Sequence, residues 1–268
     1  MNTPDTRPRY RPMHSRWKLA LKTAPFVVCI LVLKLLAHYA GYEMLSLNSL
    51  FGAIVSANVF LIGFLISGVL VDYKESKKIP GDMAASLEAL ADEGLIIYAN
   101  KKSIAAKNYL GKLSALADAL LAWFYKKEKT EDLSAKLLSL NDDFLAFEPQ
   151  TQANFIVRLK QEQNGLRKMI NRVHTIRETS FLGTGYAIVE IITSILVFGL
   201  IFLKMEPFYE SIFFVFFVSF ILIYMIYFIK DLDNPFGYAE KENLVEEVSL
   251  KPMLDTQKRI ERYHKALN

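Results

Sequence analysis

At 268 residues, with 52% hydrophobic residues and a mean hydropathy of +0.21, the chain is too apolar for an ordinary soluble domain. Its net charge of +4 comes largely from the ends, and the basic residues flank apolar runs, which argues against nucleic acid as a partner. One cysteine, Cys29, lies inside an apolar run, and His14, His38, His174 and His264 are scattered, so neither a disulfide framework nor a metal cluster is expected.

The chain opens on a basic segment, 1–23, in which Arg7, Arg9, Arg11, Arg16, Lys18 and Lys22 are opposed only by Asp5. A membrane helix needs about 20 mostly apolar residues to cross roughly 30 Å of hydrocarbon. The run at 24–44 qualifies, with Pro25 at a first helical position. Lys34 interrupts it and no A-x-A site follows, so it reads as a span and not as a cleaved leader. The run at 49–71 is the second span, and 24–72 forms a transmembrane hairpin. On that second span Ser56, Phe60, Phe64, Ser67 and Val71 recur at i+4 and i+3, so they share one helix face. Phenyl rings carry a positive edge. A ring of them turned edge-on makes a hydrophobic gate that tolerates an anion. The plainer reading has Phe60 and Phe64 packing against helices or lipid. Gly52, Gly63 and Gly68 offer close-packing surfaces elsewhere on the helix.

Residues 73–182 read as helix throughout. Pro80-Gly81-Asp82 opens one helix with an apolar stripe of Met83, Leu87, Leu90, Leu95 and Ile96. Further helices are expected over 102–126, 131–146 and 151–178, with Asn164-Gly165 a weak point in the last. No strand alternation is visible. Two more spans follow, at 183–203 and 208–229, making a second hairpin over 183–230 and leaving 231–268 as a tail. Gly183-x-Gly185 reads as a helix start. The fold class is therefore all-α, a polytopic membrane protein with two hairpins around a helical block. Lys74, Lys77 and Lys78, and then Arg167, Lys168, Arg172 and Arg177, crowd one side, while the opposite loops carry little beyond Lys204. Both termini and the 73–182 block are thus expected in the cytoplasm.

No catalytic triad, P-loop or Rossmann glycine pattern occurs, so an enzyme is not expected. Ionisable residues inside spans are costly and face protein or water. Counted from the cytoplasmic side, Lys34 lies about ten residues into its span and Glu190 about seven, depths that suit an ion pair joining the hairpins. Snorkelling of Lys34 and solvation of Glu190 is the alternative. His38, one turn beyond Lys34, is placed to join the same polar face.

Two stretches resemble one family. Phe60-Leu61-Ile62-Gly63-Phe64-Leu65-Ile66-Ser67 resembles the pore helix of bestrophins, and Asn234-Pro235-Phe236-Gly237 resembles the turn after their fourth span. The layout of two hairpins flanking a helical block is similar as well. The resemblance implies a homo-oligomer, a pentamer around one pore, that conducts chloride or other small anions through a neck lined by Ser56, Phe60 and Phe64. The family's neck positions are all bulky, so Ser56 departs from the pattern and widens one ring. In calcium-gated members a dense Asp cluster follows the turn. Here Tyr238-Ala239-Glu240-Lys241-Glu242-Asn243 puts a lysine among the acids, and Asp233 and Glu240 are only weak calcium candidates. No cofactor is expected. Tyr73-Lys74-Glu75 lacks the tryptophan-rich pattern of animal members, which implies a divergent bacterial branch in the inner membrane whose selectivity need not be anionic.

Within the turn, Asn234 can bond backbone beyond it, Pro235 fixes φ and Gly237 permits φ > 0. The turn is therefore expected to pack against the cytoplasmic side of the same or a neighbouring subunit with Phe236 as its buried anchor; the plainer reading is an exposed flexible linker. Two functions remain. One is an oligomeric channel gated at Phe60 and Phe64; the other is a non-conducting scaffold or sensor whose helical block binds a partner. The channel requires the polar and aromatic face of the second span to converge on a symmetry axis around a continuous pore, whereas the scaffold has that face packed dry against its own neighbouring spans.

Overall fold

The computed structural model describes residues 14–179, 183–238 and 248–267. In chain order these form α1 (His14–Tyr39), β1 (Leu45–Ser46), α2 (Ser49–Ser76), α3 (Ile79–Lys101), α4 (Ile104–Phe124), α5 (Thr130–Phe147) and α6 (Ala153–Glu178). Then come α7 (Gly183–Ile201), β2 (Leu203–Lys204), α8 (Phe208–Asp233) and α9 (Lys251–Ala266). The chain divides into two compact units, one of residues 1–70 and 181–233 and one of 71–180 and 234–268.

The first unit holds helices long and apolar enough to cross a membrane, in α1, α2, α7 and α8. Only 22% to 28% of each apolar window is buried within the chain, so most of these side chains need lipid or a neighbouring chain as cover. α1 packs along α8 and α7, and α7 along α8, around a core of Ile30, Ala37, Leu200, Ile201, Leu203 and Val215. Along α8 the rings of Phe216, Phe220, Tyr224 and Phe228 stack in sequence, with centroids 6.1, 5.7 and 6.4 Å apart. Their i+4 spacing lines them up on one side of the helix. Two short segments correct the expectation of no strand: β1 and β2 pair in parallel, with Leu45 opposite Leu203 and Ser46 opposite Lys204. Two residues are too few to display a period in sequence, and only the proximity of the two loops creates the pair.

The second unit is a helical bundle in which α4 packs on α3, α5 and α9, and α6 packs on α3 and α5. Pro80 lies in the first turn of α3, where its missing N–H costs nothing. Lys102 takes a left-handed conformation (φ 50°) to end α3, and the Ser103 side chain accepts from the Ala106 N–H to start α4. Leucines at helical spacing (Leu110, Leu113, Leu120, Leu137, Leu159 and Leu166) fill the core. The expected weak point at Asn164-Gly165 is not a break. α6 runs through it, and beside it Gln163 is buried and donates to the Leu137 carbonyl at 2.7 Å. The tail contains a helix that the sequence reading missed. α9 buries Met253, Thr256 and Ile260, spaced i+3 and i+4, against α3 and α4.

α3 and α4 approach closely at Gly94. A Cβ there would lie 2.8 Å from the Tyr109 ring, and Tyr109 is itself fully buried with its hydroxyl donating to the Leu90 carbonyl at 3.1 Å. Gly94→Ala is expected to cost about 1–3 kcal/mol in denaturant unfolding of the detergent-solubilised protein. An unchanged midpoint would mean that the ring yields without penalty.

Candidate functional site: an uncovered face on α2 and its flanking contacts

From Ser49 to Val71 α2 carries no charged residue. One of its faces is packed: Asn58, Ile62, Leu65 and Val69 are buried. Asn58 fixes the rotation of the helix, since its amide donates to the Thr193 hydroxyl of α7 at 2.8 Å in a buried contact. The opposite face, with Ser56, Phe60, Phe64, Ser67 and Val71, is uncovered in the single chain. Phe60 is 74% exposed and Phe64 59%. The Ser56 hydroxyl donates to the Gly52 carbonyl at 2.9 Å, so its hydrogen is used within the helix. Gly52 and Gly63 meet nothing within 4 Å where a Cβ would stand, so within the chain they are not the close-packing points expected of them.

The expected Lys34–Glu190 pair is corrected. Lys34 is fully buried, and its ammonium bonds Glu43 Oε1 at 2.5 Å and the Leu203 carbonyl oxygen. Glu190 instead pairs with Lys230 of α8, at 2.7 Å. Depth is the physical reason. α1 begins at His14, so Lys34 is twenty residues along it and lies level with the chain leaving α7, whereas Glu190 is only seven residues from the start of α7. At 1.5 Å per residue the two are separated by roughly 20 Å along the helices. His38 does join Lys34, through Glu43 Oε2 at 2.9 Å from its Nδ1, and its ring stacks on Phe208 at 3.6 Å. Glu43 was overlooked because it lies past the α1 terminus, beyond a turn in which Gly41 takes φ +73°.

In the second unit Pro235, Phe236, Gly237 and Tyr238 are buried and Asn234 is half-buried. Phe236 has no exposed surface; its ring lies 5.8 Å from that of Phe124 and 6.4 Å from that of Tyr238. The segment is tied by Val248 N–H donating to the Pro235 carbonyl at 3.2 Å and by the Tyr238 hydroxyl donating to the Val248 carbonyl at 2.6 Å. Arg177, which sequence reasoning used only as a topology signal, holds this region together. Its guanidinium donates to the Trp123 and Phe124 carbonyls at 3.3 and 2.9 Å. It also lies over the rings of Trp123, Phe124 and Phe236, at 4.5, 5.5 and 5.9 Å. A cation beside the last carbonyls of α4 meets the negative end of that helix, and the three rings add cation–π attraction. Burial pulls its pKa down to about 10. Of the calcium candidates, Asp233 is the last residue of α8 and Glu240 lies outside the described residues. Among the described residues no three His, Cys, Asp or Glu side chains gather as a metal site.

Where α2 ends, Arg172 of α6 grips two carboxylates one turn apart. Nη2 bonds Asp72 Oδ1 at 3.0 Å, while Nε and Nη2 bond the two Glu75 oxygens at 3.0 and 2.5 Å. The hydrogen bonds from Arg172 hold the Glu75 carboxyl below its ordinary value. The stabilisation is therefore present above the pKa of an unfolded glutamate and lost as pH falls through the lower folded value. Because the partners are well exposed, Arg172→Gln is expected to cost no more than about 1 kcal/mol. Faster hydrogen exchange at 72–76 in the variant should appear at neutral pH and vanish on acidification below the folded Glu75 value; a difference that persists there would assign the effect elsewhere.

For the membrane unit, Glu43→Gln should cost about 3–5 kcal/mol, because it takes the carboxylate from the buried Lys34 ammonium, Lys34→Met should cost less, because the half-buried Glu43 keeps His38, and the double variant should cost less than their sum. Thermal unfolding in detergent measures the cycle. Coupling found between Lys34 and Glu190 instead would overturn the assignment.

No protein-family model and no curated protein matches the chain. Solved structures do. Two crystal structures of point variants of a bacterial bestrophin homologue from Klebsiella pneumoniae superpose at 16% identity. One has a TM-score of 0.73, covering 92% of this chain and 99% of the other. The second has a TM-score of 0.72, covering 93% and 97%. A structure described as that of a membrane protein superposes with a TM-score of 0.73 at 14% identity, over 90% and 96% of the two chains. At such identity the likeness speaks for the fold: this chain has the fold of bacterial bestrophin homologues, in a sequence far diverged from theirs.

Proposed function

We propose that the chain is one subunit of an oligomeric ion channel whose pore is lined by the Ser56, Phe60, Phe64, Ser67 and Val71 face of α2. The observation that carries this reading is that face: an uncharged, aromatic-and-hydroxyl stripe left uncovered while the opposite side of the helix is fixed by the Asn58–Thr193 bond. Large exposed aromatics at regular spacing call for cover by lipid or by further subunits. The two serines suit a water-contacting role better than a lipid-facing one. Arranged around an axis, Phe60 and Phe64 make a hydrophobic constriction that gates by dewetting, and their positive ring edges favour chloride or other small anions. Ser56 sits one turn before the Phe pair and leaves a wider ring there. The likeness to bacterial bestrophin homologues supports an oligomer, with a pentamer as the assembly proposed. The basic flanks of the hairpins support an inner-membrane topology with both termini in the cytoplasm.

Planar-bilayer recording of the purified protein tests this. The wild type is expected to conduct, with chloride carrying the current, and Phe60→Ala/Phe64→Ala should raise unitary conductance and weaken ion selection. A silent wild type at any potential, or a double variant with unchanged current, would remove the pore assignment.

A further inference from the structure

Almost every exposed residue of α1 from Trp17 onward is apolar or aromatic. Leu21, Phe26, Val28, Val32 and Leu36 form an outer wall, while Leu19, Thr23, Val27, Ile30, Lys34 and Ala37 are turned inward. Lys34, near the C-terminal end of the helix, thus places its charge inside. The two remaining lysines of the helix, Lys18 and Lys22, are exposed, one turn apart, at one end of that wall. Trp17, 64% exposed, stands beside them. Lys22 Nζ lies 4.7 Å from the centre of the Tyr227 ring of α8, and that ring packs 6.0 Å from Phe26. Among the described residues neither lysine has a carboxylate partner: Glu190, on α7, is already engaged by Lys230. α1 itself contains no acidic residue.

The geometry points to a binding site for the headgroup of an anionic glycerophospholipid, formed by Lys18 and Lys22 with Trp17 and Tyr227 at its rim. The wall below the lysines takes acyl chains, being apolar and continuous with the site. The aromatic pair lies where amphipathic rings settle at a membrane boundary. Two ammonium groups one turn apart, without a carboxylate partner among the described residues, match a phosphate-bearing headgroup in sign and in reach. The Tyr227 ring holds Lys22 against the helix pair without neutralising it, so its charge remains available. A zwitterionic headgroup brings its own cation and gains less from the same pair. The assignment rests on the membrane-spanning helices and not on conduction, so it stands or falls separately from the channel reading.

Thermal unfolding of the full chain in detergent, with added phosphatidylglycerol, phosphatidylcholine or inorganic phosphate, tests it. Phosphatidylglycerol should raise the wild-type midpoint more than phosphatidylcholine does, and added salt should shrink the difference. Lys18→Gln/Lys22→Gln should lose most of that difference, and Lys18→Arg/Lys22→Arg should keep it. Lys204→Gln, at the turn between α7 and α8, should keep it too. Should the double glutamine variant fail to fold, Lys18→Gln alone, at an exposed site, is expected to lose part of it. An equal rise with phosphatidylcholine, a full rise in the glutamine variants, an equal loss in Lys204→Gln, or phosphate reproducing the effect unaided would each overturn the proposal.

Discussion

A helix in hydrocarbon satisfies its own backbone, but it finds no water for a charged side chain, and the first unit is organised by that constraint. Lys34 illustrates it. The ammonium is withdrawn from the surface of α1 and given a carboxylate from Glu43 and a carbonyl from Leu203. Those partners lie in the loops after α1 and after α7, so satisfying one buried charge draws two loops together. The β1–β2 pair then closes beside it, with Leu45 opposite Leu203. A stray intramembrane lysine is thereby converted into the fastening of one end of the unit.

The second unit solves a different problem, that of holding a turn without regular hydrogen bonding. Phe236 supplies the apolar weight and Arg177 supplies direction, donating to the two terminal carbonyls of α4 while covering the rings of Trp123, Phe124 and Phe236. A guanidinium is suited to this task, because it offers planar donors and a π-stacking face together and stays protonated even when burial lowers its pKa to about 10. The segment after α8 is consequently built into the bundle core, with Tyr238 and Val248 closing over it.

The face proposed as the pore gains its meaning from what packs opposite it. Ser56, Phe60 and Phe64 at helical spacing are compatible with lipid, core or pore. Once Asn58 is bonded to Thr193 and Ile62, Leu65 and Val69 are buried, the other side of α2 has no partner among the described residues.

The number and kind of spans were legible in the chain, because run length against bilayer thickness is a one-dimensional quantity. The helices of the second unit were legible for a similar reason, through leucine periodicity and the Pro80 boundary signal. α9 was not read, since its buried residues are only Met253 and Ile260 with Thr256 between them, too sparse a stripe to stand out in a polar tail. Charge partners were the least legible. Lys34 and Glu190 look matched when each is counted from the nearest apolar residue, yet α1 starts ten residues before its apolar run and carries Lys34 to the far end of α7. The sequence by itself determined which segments must leave water and which residues share a helix face, because both follow from local spacing. Only the tertiary structure decided which charge meets which and which face stays open, because both depend on where separate helices end beside one another.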